Sequence, residues 1–172
     1  MNLLHDIPAG SADEMNVIIE IPRGTKNKYE IDKETGLIKL DRVGHTAQAY
    51  PFDYGFVPQT LWDDGDALDV VLLTSEPLFP GLLVQARPVA IMPMVDGGEA
   101  DEKVIAVPVG DPRFGTIHDL ADVNPHTLKE IAHFFATYKQ IQKKDVQVGD
   151  YQGSTAAKEA FERAVKLYSD SK

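Results

Sequence analysis

Proline placement constrains this chain most. Pro77, Pro80, Pro88, Pro93, Pro108 and Pro112 fall among a succession of short strand-like runs. A proline has no amide hydrogen to give a ladder, so in sheets it is confined to edges, strand starts and bulges. A flat, regular sheet is therefore a poor solution, and a small, irregular barrel is a better one. The runs themselves are plain. Residues 17–21 are β-branched and closed by Pro22, and residues 28–32 alternate polar and apolar. Lys33-Glu34-Thr35-Gly36 reads as a hairpin turn returning through residues 37–43, and further strands fit residues 69–74, 82–86, 89–94 and 104–109.

The last third changes period. Asn124 followed by Pro125 is an N-cap with proline at the first helical position. Leu128, Ile131, Phe135, Tyr138 and Ile141 then recur at helical spacing. A second helix is expected from near Ser154, with Ala157, Phe161, Ala164, Val165 and Tyr168 inward and Glu159–Arg163 and Glu162–Lys166 as outer ion pairs. With 172 residues and no linker, repeat or low-complexity segment, residues 1–172 are expected to form a single domain.

Composition excludes several classes. No apolar run approaches the roughly 20 residues of a membrane helix, and the N-terminus lacks the basic segment of a signal peptide. The absence of cysteine removes disulfides, thiolate metal sites and a thiol nucleophile, and fits a cytoplasmic location. A formal net charge of −10 argues against a nucleic-acid surface. It does not argue against a small anionic substrate, which a local basic cluster or metal ions can hold.

The acidic run that carries Asp63, Asp64, Asp66 and Asp69 leads directly into the apolar stretch 70–73. A carboxylate there is costly unless something positive neutralises it. The nearest arginines, Arg42 and Arg87, are distant in sequence, so a hard divalent cation is a natural counter-charge. If the stretch is extended, Asp64 and Asp66 share a side and Asp69 rejoins them after a turn. A second acidic group, Asp96 to Glu102, is glycine-rich and reads as a loop that could fold back. Two such clusters could hold two metals about 3.5–4 Å apart, as in phosphoryl transfer. Solvated turns are the plain alternative, since Asp-Gly is itself a turn signal. An EF-hand is excluded, because counting from Asp64 its obligatory glycine position is Asp69. Lys28, Arg42, Lys103 and Lys139 supply candidate phosphate-binding charge. No P-loop, zinc-helix spacing or Gly-x-Ser-x-Gly motif occurs, and His126 and His133 are expected on one helix surface. Residues 49–58 pack Tyr50, Phe52, Tyr54 and Phe56 with two prolines and a glycine, a core corner whose phenols need partners.

Taken in order, Glu20-Ile21-Pro22, Lys28-Tyr29-Glu30, Asp41-Arg42, Tyr50-Pro51-Phe52-Asp53-Tyr54-Gly55, Asp64-Gly65-Asp66-Ala67-Leu68-Asp69, Asp96 to Asp101 with Lys103, and His133 to Lys139 resemble the soluble inorganic pyrophosphatases of family I, bacterial type. The resemblance implies an α+β, mainly β fold: an OB-like five-stranded β-barrel with extra strands and two supporting α-helices. It implies metal-dependent hydrolysis of pyrophosphate to two phosphates, by direct attack of a metal-activated water without a covalent intermediate. By the same resemblance Asp66 would be the catalytic base, and Asp64, Asp69, Asp96, Asp101, Glu20 and Glu30 would form the metal shell. Lys28, Arg42, Tyr54, Lys103, Tyr138 and Lys139 would bind the phosphoryl groups, with Tyr50 supporting the wall. Mg²⁺ would be the cofactor, with Mn²⁺ or other divalent ions as possible substitutes. The assembly would be a homohexamer to which the helix carrying His133 could contribute, with neither nucleic acid nor membrane as partner.

Three departures stand out: Ala67 where the pattern has proline, Gly97 where bacterial members carry a second acid, and Asp53 where many have asparagine, which adds a charge expected near the site. Two rivals remain at this level. A phosphohydrolase acting on nucleotides or sugar phosphates would need an apolar pocket for its organic group. An OB-type binding module would need a basic groove with stacking aromatics.

Overall fold

A computed structural model describes residues 1–172. Eleven strands and two α-helices follow one another as β1 (Met15–Ile21), β2 (Asn27–Ile31), β3 (Ile38–Val43), β4 (Asp53–Val57), β5 (Leu68–Leu72), β6 (Leu83–Met92), β7 (Met94–Asp96), β8 (Glu99–Ala100), β9 (Lys103–Pro108), α1 (Pro125–Thr137), β10 (Val146–Val148), β11 (Gln152–Gly153) and α2 (Ser154–Asp170). Strands β1, β4, β5, β9 and β6 pair in that order, and β1 also pairs with β6, so five strands close into a barrel. The closure divides β1 between two partners: Met15 to Ile18 run against β6, while Ile18 to Ile21 run against β4. β2 and β3 form a separate two-stranded hairpin, and β10, β7 and β8 a small three-stranded sheet.

Two large apolar clusters fill this architecture, and a third of Ile18, Ile31 and Phe56 seats the β2–β3 hairpin on the barrel. One joins Val17, Ile19, Leu68, Val70 and Leu72 to the inner face of α2 through Ala157, Phe161 and Ala164. The other joins Val71, Ile105 and Val107 to Phe52, Phe134 and Phe135, which fixes α1 to the barrel. α1 starts as the Asn124-Pro125 pair predicts, with Asn124 Oδ1 accepting from the His126 amide at 2.9 Å. It stops sooner than the apolar spacing implies. Thr137 is its last residue, Phe134 takes the buried position, and Ile141 lies beyond the helix with 64% of its surface exposed.

Other differences have local causes. Residues 82–94 were expected as two strands divided at Pro88; they form one strand, β6, because the register shifts between Pro88 and Ala90 and leaves the proline at a bulge. The aromatic corner holds a strand, β4, whose Gly55 lies so close to β1 that a Cβ would stand 2.0 Å from the Ile18 carbonyl oxygen. The acidic stretch 96–102 is partly the β7–β8 hairpin, turned by Gly97 and Gly98 at φ +59° and +84°. The helical pairs expected on α2 are replaced by tertiary and shifted ones. Arg163 pairs with Asp63 at 2.5 Å and lies over the Trp62 ring, while Lys166 pairs with Asp170.

Candidate active site

The barrel wall, the β2–β3 hairpin and the end of α1 enclose a cavity of about 720 Å³. Three irregularities of the chain aim acids into it. The first is a bulge in β1: Ile19 faces Gly55 and Ile21 faces Tyr54, so Glu20 is the unpaired extra residue. Bulges of this kind redirect a side chain. The Glu20 Oε1 atom accepts from the Ile31 amide of the hairpin at 3.0 Å. Burial pushes its carboxyl up to about 8, with the Asp69 charge acting the same way.

The second is the turn before β5. It is not extended as the alternation argument supposed. Gly65 adopts φ +86°, the Asp66 amide donates to Asp64 Oδ1 at 3.0 Å, and the Trp62 amide donates to the Asp66 carbonyl at 2.7 Å. This folds Asp64 towards Asp69 and Asp101, whose carboxylate oxygens all lie within 4.8 Å of one another. Asp66 instead pairs with Lys33 on the cavity lining, with 61% of its side chain exposed. Asp63 anchors Arg163 on the outside of the loop.

The third is the parallel pairing of β5 with β9, which sets Asp69 opposite Lys103. The Lys103 ammonium donates to Asp69 Oδ2 at 2.6 Å and to Asp101 Oδ1 at 2.7 Å. The counter-charge that the sequence could not locate is thus this lysine, supplied by the neighbouring strand. Burial works against its charge, but Asp69 and Asp101 outweigh it and drive the ammonium well above its ordinary range. Asp101 is likewise opposed by burial and still held below the usual carboxylate range by Lys103. Asp69 goes up to about 6, because burial and the nearby Asp101 exceed what Lys103 offsets. Asp64 has no lysine partner, and burial with the charges of Asp101 and Asp69 raises it to about 7.

A basic and phenolic wall interleaves with the acids. Lys139 donates to Asp96 and lies over the Tyr138 ring. Arg42 stands 6.0 Å from the centre of the same ring. Lys28 bridges Glu30 at 3.2 Å and Asp41 at 3.1 Å; burial opposes its charge, but these carboxylates leave it raised. Tyr50, Tyr54 and Tyr138 join Phe52, Phe134 and Phe135 in one aromatic stack, and burial raises all three phenols.

Every residue to which the resemblance gives a site role lines this cavity: Glu20, Lys28, Glu30, Arg42, Tyr50, Tyr54, Asp64, Asp66, Asp69, Asp96, Asp101, Lys103, Tyr138 and Lys139. Asp53 does not. It is fully buried behind the wall, accepting from the Arg23 and Leu78 amides and the Thr74 hydroxyl, so its carboxylate is not part of the lining. Glu99, two residues after Gly97, brings an acid to the lining at the place where Gly97 lacks one. Lys33, Glu34 and Lys39 also line it and were missed; they belong to the hairpin turn and its return strand, where lysine and glutamate read as ordinary surface charge.

The donor set suits a hard cation. Asp64, Asp69 and Asp101 offer carboxylate oxygens alone, with neither histidine nor cysteine on the lining.

A family model described as inorganic pyrophosphatase matches residues 17–169. The chain is 47% identical, over 99% of its own length and 98% of the relative's, to an inorganic pyrophosphatase of Haloferax volcanii. It is 47% identical over 90% of its length to one of Nostoc sp., covering 91% of that protein. In structure it is similar to the inorganic pyrophosphatase of Thermus thermophilus, with a TM-score of 0.94 and 42% identity over 98% of this chain and 99% of that one.

Proposed function

The chain belongs to the inorganic pyrophosphatase family and hydrolyses inorganic pyrophosphate, and from that premise we propose how its side chains divide the work. The observation that supports the reading is the mixed charge of one cavity: three clustered carboxylates share its lining with lysines, an arginine and phenols. Pyrophosphate is small, highly charged and without an apolar part, and the charged and phenolic groups of the lining suit it.

Asp64, Asp69 and Asp101, with Asp96, Glu20 and Glu30 around them, would hold Mg²⁺, or Mn²⁺ in its place. When bound, such cations supply charge neutralisation on the phosphoryl oxygens and lower the pKa of water at the site. Asp66 accepts the proton of the attacking water, a role suited to a carboxylate with an exposed face. Lys28, Arg42 and Tyr54 orient one phosphoryl group, and Lys103, Tyr138 and Lys139 take up charge on the other as the bridging P–O bond breaks. Water adds directly to phosphorus, so no covalent enzyme intermediate forms. Tyr50 supports this wall through its contacts with Tyr54 and Phe134. Residues 1–172 would act as a single domain, in a cytoplasmic homohexamer to which the exposed face of α1 contributes.

The test is phosphate release from pyrophosphate in Mg²⁺, repeated after chelation and with ATP in place of pyrophosphate. Release that needs the cation and strongly favours pyrophosphate is expected; equal rates on ATP would favour the nucleotide phosphohydrolase reading. Asp66→Asn is expected to lower turnover about 10²-fold or more while leaving cation affinity, measured calorimetrically, within about threefold. Parallel loss of both would remove Asp66 from the role of base.

A further inference from the structure

The acids of the cavity are mostly each matched with a cation: Asp69 and Asp101 with Lys103, Asp96 with Lys139, and Glu30 with Lys28. For Asp66 the cation is Lys33, whose ammonium stands 2.6 Å from Asp66 Oδ1 and 3.4 Å from the Gly65 carbonyl oxygen. That contact is the one hydrogen bond made to the Asp66 carboxylate. The other bonds of residue 66 involve its backbone amide and carbonyl, so they fix the main chain and leave the side-chain torsions free. Packing does not hold the carboxylate either, since 61% of the side chain is exposed. The following residue, Ala67, places none of the restriction on Asp66 that a proline would.

Lys33 is well placed to supply what the loop lacks. Its turn is stapled by Asp32, whose Oδ2 accepts from the Thr35 amide at 2.9 Å and hydroxyl at 2.6 Å, while Oδ1 accepts from Lys39 at 3.0 Å. The β2–β3 hairpin pairs with no barrel strand. Besides the packing of Ile31 and Ile38 on Ile18 and Phe56, its hydrogen bond to Glu20 and the Lys33–Asp66 pair tie it to the rim of the cavity. An exposed ion pair contributes little to global stability. Its value here is geometric.

We propose that Lys33 is a positioning residue for the reaction: it holds the Asp66 carboxylate in one orientation and fastens the β2–β3 hairpin to the acidic loop. The inference rests on Asp66 being the base, as argued above. Steady-state kinetics on Lys33→Met, Lys33→Arg, Asp66→Asn and the Lys33→Met/Asp66→Asn double variant test it, alongside amide hydrogen exchange of residues 34–37. Lys33→Met is expected to lower kcat about five- to twentyfold with KM within about twofold, and Lys33→Arg to recover most of that loss. In the Asp66→Asn background, Lys33→Met should cost nothing further. Hairpin exchange should quicken alike in Lys33→Met and Asp66→Asn, a change a purely chemical role of lysine would not produce. An unchanged kcat, a loss of equal size in both backgrounds, or a loss confined to KM overturns the assignment. A wild-type protein that releases no phosphate from pyrophosphate overturns the parent reading instead, so the two failures are told apart.

Discussion

At position 103 an ammonium group with only 3% of its side chain exposed sits between Asp69 at 2.6 Å and Asp101 at 2.7 Å. Removing one partner of a buried ion cluster leaves uncompensated charge, at a cost of about 3–5 kcal/mol. Lys103→Met should therefore destabilise the cation-free protein by about that amount in denaturant titration, and added Mg²⁺ should restore more stability to it than to the wild type. Equal stability of the two cation-free proteins would mean that Asp69 and Asp101 shed their charge by protonation instead. Asp66 is the contrasting case, a carboxylate on an open loop with most of its side chain exposed.

Among the elements, β4 and β1 are joined where Gly55 lies against the Ile18 carbonyl, beside the bulge that presents Glu20. Gly55→Ala should cost about 3 kcal/mol or more in chemical unfolding, since the overlap involves backbone rather than a flexible side-chain end. It should also weaken cation binding by disturbing Glu20, which isothermal titration would read. These elements show where sequence reading reaches. The helices and strands such as β1 and β5 were legible because their apolar pattern is local, and the Asn124 cap because its chemistry is. β4 was not, because all five of its residues are buried and no polar alternation marks it. The site residues were legible through a resemblance in their order along the chain. Their partners were not: Lys103 meets Asp69 through a parallel pairing, and Lys33 meets Asp66 across 33 positions of sequence. Neither contact leaves a local trace. Asp53 was misplaced for the same reason, since only the folded chain shows it satisfied behind the wall.

Over the whole molecule, the raised carboxyls set a pH dependence. Glu20, Asp64 and Asp69 titrate in the fold near 8, 7 and 6, above their ordinary values. An acid whose folded pKa is raised contributes stability that is full below its unfolded pKa and is lost as pH rises through the folded one. Asp101, held low, acts in the opposite sense and withdraws its contribution only in acid. The Tm of the protein in chelator should fall between pH 5 and pH 8, and Mg²⁺ should suppress that fall; a Tm in chelator that climbs over this range would contradict the electrostatic account. The barrel's closure carries a further consequence. β1 is shared between β4 and β6, and β5 and β9 become neighbours only over a long crossover. The acids from β1, the β5 turn and the start of β9 therefore meet late on the folding path, since distant pairings must be in place first. Cations that need all three segments have little to grip in a half-assembled chain. Mg²⁺ should accordingly slow unfolding in stopped-flow experiments while leaving the refolding rate almost unchanged, so its protection would be felt as persistence of the folded enzyme and not as speed in reaching it.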